Sequence, residues 1–301
     1  MNAIETKDLV KAYRGHIVLD KVNLVVPEGS VFGFVGENGA GKTTVMRVIS
    51  GLAEPTSGEY SIFGVNNKSS KIYSERKKTS AIVETTSLIP TMTAKQNLTF
   101  ACLYLGIKEK PNFDEILAQV GLKDVGNKKA KNYSLGMKQR LGIALAMLNK
   151  PKLLLLDEPM NGLDPEGIAE LRDLLIQLNK QGMTILISSH ILSELEKIST
   201  HYGIISHGRL LKTITIDELR DRCRKGIDVS VDNPINTMRA FKEMKINDYK
   251  QTSPFTFKVF DNIKIVDLVT GLSKANVDIK ALESKDESVE EYYLSLIKEE
   301  N

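Results

Sequence analysis

Short apolar runs broken by turn residues open the chain: Leu9-Val10, Ile17-Val18-Leu19 and Leu24-Val25-Val26 are punctuated by Arg14-Gly15 and Pro27-Glu28-Gly29. That rhythm predicts antiparallel strands and hairpins. Val31, Phe32, Phe34 and Val35 then predict a strand that feeds a helix-forming run at Val45, Met46, Val48 and Ile49. Residues 58–65 and 79–84 are further strand candidates, the second without strict alternation and so expected to be buried. From Thr93 to Lys150 the spacing turns helical, with a helix start at Thr93-Ala94-Lys95-Gln96, helical spacing over 113–120 and a strongly apolar stretch over 141–148. This reads as a helical insertion at about residues 88–150.

Two short continuous apolar runs, 153–156 and 184–188, flank a helical segment at 165–180. Strand, helix, strand is the pattern of a parallel sheet buried on both faces. A hairpin over 202–211, turning at His207-Gly208, is expected to complete the core. The charged residues of 212–226 predict a helix leading out of the domain, with the boundary at Gly226. Beyond it, 227–231, 236–244, 248–251, 255–260, 263–273 and 277–281 alternate as β-α-β-β-α-β, followed by a helix over 289–298. That order predicts a small ferredoxin-like appendage. The domains are therefore 1–215, a linker helix at 216–226 and an α+β appendage at 227–301.

Composition narrows the class without choosing a partner. The chain has 301 residues, enough to bury a core without disulfides or metals. Its 41 Lys+Arg against 38 Asp+Glu leave a formal charge of +3, too small and dispersed to indicate a nucleic-acid surface. Cys102 and Cys223 are far apart and lack metal-ligand spacing, which suits two ordinary thiols in a reducing compartment. No basic-then-apolar leader is visible, and the longest apolar runs fall far short of the about 18 residues of a membrane span. A cytosolic chain that does not cross a bilayer is expected.

The chemistry begins at residues 36–43, Gly36-Glu37-Asn38-Gly39-Ala40-Gly41-Lys42-Thr43, followed by Thr44. Set between a strand and a helix, this is a phosphate-binding loop: its glycines let backbone N–H groups close on phosphate oxygens, and the helix directs its positive end at them. Lys42 adds a point charge and Thr43 offers a hydroxyl to Mg²⁺. The buried run 153–156 ends in Asp157-Glu158-Pro159, placing two carboxylates where parallel sheets present ligand groups. Asp157 would act on the magnesium, and Glu158 would hold or deprotonate the attacking water. Ser188-Ser189-His190 ends the next strand, from which the imidazole can reach the γ-phosphate and fix Glu158. His16, His201 and His207 have no such context. Asn161-Gly162-Leu163-Asp164 supplies a turn towards a neighbouring subunit. In Tyr133-Ser134-Leu135-Gly136-Met137-Lys138-Gln139-Arg140, Ser134 is a helix cap whose free N–H groups can meet phosphate.

Taken in order, GENGAGKT, YSLGMKQR, LLLLDEP, NGLD and SSH resemble an ATP-binding cassette (ABC) transporter ATPase subunit over about residues 2–215. The resemblance implies an α/β fold: a P-loop NTPase (RecA-like) core with an antiparallel β subdomain and the helical insertion. It implies ATP and Mg²⁺ as cofactors, Tyr13 stacked on adenine, and Ser134, Leu135, Gly136, Met137 and Asp164 meeting ATP held by an opposite copy. It also implies a closed homodimer and a separately encoded membrane permease, with the chain peripheral on the inner membrane face and no nucleic acid as partner. Two positions depart from the family. YSLGM stands where LSGGQ is usual, so Leu135 replaces a glycine and Met137 a glutamine. Glu84 stands where the family places a glutamine that ligates magnesium and faces the membrane subunit; a carboxylate keeps the oxygen and adds charge.

Glu84 together with YSLGMKQR is similar to cassettes of bacitracin-resistance and lantibiotic-immunity exporters. The leading expectation is an ATPase driving peptide-antibiotic export. The rivals are a cassette protein acting on nucleic acid or the ribosome, which usually carries two cassettes or a long coiled coil, and a nucleotide-gated module that hardly hydrolyses. Asp157, Glu158 and His190 argue against the second.

Overall fold

The computed structural model describes residues 1–287 and 289–293. The chain divides into two compact units, Met1–Ile216 and Asp217–Asn301.

In the first unit β1 (Asn2–Tyr13), β2 (His16–Val22) and β3 (Val25–Pro27) form the expected antiparallel layer. β4 (Val31–Val35) leads through the glycine loop into α1 (Lys42–Ile49), and β5 (Ser57–Ile62) and β6 (Val65–Asn66) return to the antiparallel sheet. That sheet runs β2-β1-β5-β6, with β3 also paired to β1. Its inner face packs on α1: Ile4, Leu19, Leu24, Val26 and Ile62 share a buried cluster with Val45, Met46, Val48, Ile49, Phe32 and Phe34. Val45 lies three and four positions before Val48 and Ile49, and with Met46 they cover the buried side of the helix, so burial of this stripe holds the phosphate-loop helix in place.

After α2 (Ile72–Arg76), β7 (Thr79–Ile82) joins the second sheet, and the helical insertion follows as α3 (Ala94–Tyr104), α4 (Phe113–Gln119) and α5 (Leu135–Ala146). Thr93 caps α3 in a reciprocal capping box with Gln96. β8 (Leu153–Leu156), α6 (Pro165–Lys180), β9 (Thr184–Ser189), α7 (Leu192–Leu195), β10 (His201–Ser206) and β11 (Arg209–Thr215) complete the unit. The second sheet runs β11-β10-β4-β9-β8-β7, with β11 antiparallel and the other pairings parallel. All four leucines of β8 are fully buried, as a continuous apolar run in a covered parallel sheet requires. The parallel strands β4, β9, β8 and β7 lie side by side, so their C-terminal ends deliver the loops that carry Lys42, His190, Glu158 and Glu84 to one edge.

Two boundaries differ from expectation. The strand expected over 79–84 ends at Ile82, and beyond it Glu84 takes left-handed backbone (φ 69°) that departs from the extended run. The last hairpin extends to Thr215, since β-branched Thr213, Ile214 and Thr215 continue pairing with β10 down to His201. Helix α8 (Ile216–Arg222) starts where the linker helix is expected and ends at Arg222, short of Gly226.

The second unit contains β12 (Ile227–Val231), α9 (Pro234–Glu243), β13 (Tyr249–Ser253), β14 (Thr256–Val259), α10 (Ile265–Lys274) and β15 (Ile279–Ser284). Its antiparallel sheet, β13-β14-β12-β15, is the ferredoxin-like order. Val229, Phe241, Phe257, Leu268 and Leu272 form its separate core. The unit begins ahead of Gly226 because a residue preceding that glycine is tied into it: Arg224 pairs with Asp248 at 2.9 Å, and its carbonyl accepts from the Glu287 N–H at 2.8 Å. Residues 289–293 are helical, and the remainder of the helix expected over 289–298 lies outside the described residues.

Candidate functional site

Backbone conformation sets the loop. Gly39 (φ 84°) and Gly41 (φ 109°) occupy the left-handed region, where a side chain is strained. A Cβ on Gly36 would lie 2.4 Å from the Ile205 carbonyl oxygen, so β10 packs directly against the loop's base. The loop, with Val18, Lys42, Thr43, Thr44 and Glu158, bounds a cavity of about 200 Å³. Gly36, Glu37, Asn38, Gly39, Ala40 and Gly41 thus form the turn into α1, whose first-turn N–H groups lack intrahelical partners.

Lys42 is 5 % exposed. Its ammonium donates to the Gly36 and Glu37 carbonyls at 2.5 and 3.1 Å and lies 3.2 Å from Glu158 Oε1. The Thr43 hydroxyl donates to Asp157 Oδ2 at 2.7 Å. Ser188 was not singled out from sequence, yet it joins the two acidic residues: its hydroxyl donates to Asp157 Oδ1 at 2.6 Å and accepts from the Glu158 N–H at 2.8 Å. His190 Nδ1 lies 2.8 Å from Glu158 Oε2, so with an ionised carboxylate the proton sits on Nδ1. Glu158 is therefore gripped from both sides, by Lys42 and His190. Its left-handed backbone (φ 47°) is the sort of local strain that packing must enforce.

The second acidic position also has left-handed backbone and an ionic partner that sequence did not reveal. Glu84 Oε1 lies 2.5 Å from Arg47 Nη2, and the two side chains are 56 % and 40 % exposed. Arg47 stands one turn beyond Thr43 on α1. Hydrogen bonding and charge from Glu84 push the Arg47 guanidinium above its ordinary range, and a bond with the Tyr13 hydroxyl adds to this. Tyr13 is 40 % exposed, with the Lys11 ammonium 4.7 Å from its ring centre. Glu84, Asp157, Glu158 and Leu135 line one cleft beside the phosphate loop. Thr43, Asp157 and Glu84 supply hard oxygen donors of the type magnesium takes, and the loop supplies N–H donors for phosphate, so the residues present fit Mg-ATP.

The remaining expected residues sit apart from the phosphate cavity. Ser134 caps α5 by accepting from Met137 N–H at 3.2 Å, and both Ser134 and Leu135 are exposed. Gly136 and Leu135 pack near Leu163 and Gly162. Asp164 caps α6 by accepting from Gly167 N–H at 3.1 Å. Within one copy, then, Lys42, Thr43, Asp157, Glu158 and His190 converge and Leu135 reaches the cleft of Asp157 and Glu158, whereas Ser134, Gly136, Met137 and Asp164 line neither that cleft nor the phosphate cavity.

Comparison with known proteins accords with this arrangement. The ABC transporter family profile matches residues 19–161. The chain is 40% identical over 297 residues to the bacitracin transport ATP-binding protein BcrA of Bacillus licheniformis, covering 98% of this chain and 97% of that one. It is 40% identical over 210 residues to the lantibiotic transport ATP-binding protein SrtF of Streptococcus pyogenes, covering 69% of this chain and 89% of that one. Among solved structures, an ATP-binding subunit of an ABC transporter aligns at 32% identity and TM-score 0.63 over 73% of this chain and 92% of its own. A dimeric ATP-binding cassette in a post-hydrolysis state, bound to ADP and Pi, aligns at 25% identity and TM-score 0.63, covering 71% and 98%. With its phosphate loop, its paired carboxylates and near full-length similarity to such subunits, the chain belongs to the ABC transporter ATP-binding family, whose members hydrolyse ATP to power transport.

Proposed function

We propose that this chain is the ATP-hydrolysing subunit of a peptide-antibiotic exporter of the bacitracin type, working as two cassettes that close on two ATP molecules. The observation that carries the substrate class is coverage. Similarity to the bacitracin transport subunit extends over 98% of the chain and so includes the ferredoxin-like unit, whereas similarity to the lantibiotic subunit covers 69%.

The geometry supports hydrolysis. Lys42 and the loop N–H groups would bind phosphate, and Thr43 with Asp157 and Glu84 would hold magnesium. That ion, arriving with ATP, stabilises charge on the phosphoryl group. Glu158 takes the proton of the attacking water, and His190 orients Glu158 from its other oxygen. Lys42 must leave Glu158 to meet phosphate, which frees the carboxylate for its task.

Dimer closure is supported by the exposure of Ser134 and Leu135 at the start of α5, away from their own copy's phosphate cavity, and by the dimeric relative bound to ADP and Pi. A second copy would meet ATP through residues 134–137 and Asp164. Tyr13 would stack on adenine. Among the described residues no helix is long and apolar enough to cross a membrane. A cleft of about 550 Å³ containing Ile82, Thr86, Phe100, Tyr104 and Leu145 offers apolar surface to a separate permease on the inner membrane face.

Co-expression with its permease in a bacitracin-sensitive host tests the reading. Resistance to bacitracin that is abolished by Lys42→Ala is expected; unchanged sensitivity in the presence of the assembled, ATP-hydrolysing complex would reject the substrate class.

A further inference from the structure

The Arg47–Glu84 pair joins two groups that none of the motifs connects. Arg47 belongs to α1 and shares the helix face of Thr43, whose hydroxyl is committed to Asp157. Glu84 follows β7 in left-handed backbone, and its neighbours Asp157 and Glu158 line the same cleft. A third carboxylate there adds negative charge to a site built for a polyanion. Two like charges about 6 Å apart in water repel enough to weaken binding roughly threefold, and more where solvent is partly excluded. The guanidinium 2.5 Å away cancels that charge.

The pair is also easily parted. Both side chains are substantially exposed, and an exposed ion pair is worth at most about fivefold in an equilibrium. A divalent cation at the site can therefore take Glu84 from Arg47 at small cost.

We propose that Arg47 is a positioning residue that holds Glu84 as a neutralised carboxylate until magnesium arrives with ATP, and that it thereby sets how strongly nucleotide affinity depends on magnesium. This rests on the reading of Glu84 as facing the metal. With Arg47 in place, Glu84 does not oppose the phosphates of metal-free ATP; without it, Glu84 opposes them fully and is relieved only by magnesium.

The test is the affinity of the full chain for a fluorescent ATP analogue, with magnesium and with EDTA, for wild type, Arg47→Met, Arg47→Lys, Glu84→Gln and the Arg47→Met/Glu84→Gln pair. Met keeps most of the stem without the charge. Arg47→Met should weaken metal-free binding about three- to tenfold while leaving magnesium-dependent binding within about twofold, and Arg47→Lys should restore most of the loss. In the Glu84→Gln background Arg47→Met should alter neither value. Equal loss with and without magnesium, or the same loss in the Glu84→Gln background, overturns the role of Arg47, since a structural contribution would not depend on Glu84. If Glu84→Gln itself leaves the ratio of the two affinities unchanged, the metal-facing reading of Glu84 fails instead.

Discussion

Glu158→Gln separates binding from hydrolysis, because the substitution keeps the volume and one hydrogen-bond acceptor for His190 while removing the proton acceptor. Loss of a general base lowers kcat by about 10²–10⁴, or about 3–5 kcal/mol of barrier at about 1.36 kcal/mol per decade. Affinity should move the other way. Lys42 Nζ lies 3.2 Å from Glu158 Oε1, with side-chain exposures of 6 % and 22 %. Two charges at that separation attract by about 5 kcal/mol at an effective dielectric of about 20. Desolvation offsets most of that attraction, so the net contribution of the pair is far smaller. An uncharged partner releases Lys42 to the phosphates, and ATP should bind as well as to wild type or up to about tenfold tighter. Phosphate release under single-turnover conditions and titration of a fluorescent ATP analogue, run on one preparation, measure both. Turnover within threefold of wild type, or affinity and turnover falling together, would refute the assignment and make Glu158 a binding residue.

Ser188→Ala should lower kcat more than ATP affinity, since it leaves Asp157 Oδ1 and the Glu158 N–H without their shared partner; a stability loss of about 1–3 kcal/mol should appear in urea unfolding. Gly208→Ala should destabilise the first unit by more than about 1 kcal/mol, because its backbone has φ 78° and a Cβ would lie 2.3 Å from the Val18 carbonyl oxygen; thermal melting checks this. Burial holds the Cys102 thiol above its ordinary range, so its thiolate forms only as pH rises beyond that range; iodoacetamide at pH 8 should label Cys102 after unfolding and not before. Leu155→Ala, at a fully buried strand position, should cost about 2–5 kcal/mol in the same unfolding assay.

What the sequence determined by itself was local. The alternation before Val31, the helical spacing of α6 and the unbroken leucines of β8 report burial on one face, one stripe or both faces, and each is set by neighbours a few residues away. The phosphate loop was legible for the same reason: Gly39, Gly41, Lys42 and Thr43 act as one contiguous turn. The caps at Thr93 and Ser134 were equally local. The tertiary structure decided which of these groups meet. Thr43 and Asp157 stand 114 positions apart, and their hydrogen bond exists because β4 and β8 flank β9 in one parallel sheet. Ser188 stands in the SSH motif, but nothing in that motif gives it a partner; it joins Asp157 to Glu158 because β9 lies beside β8. Arg47 reads as an ordinary cation on a helix until β7 brings Glu84 against it. Side-chain pairs of this kind depend on strand order, and strand order is fixed by long-range burial that no short stretch of sequence encodes.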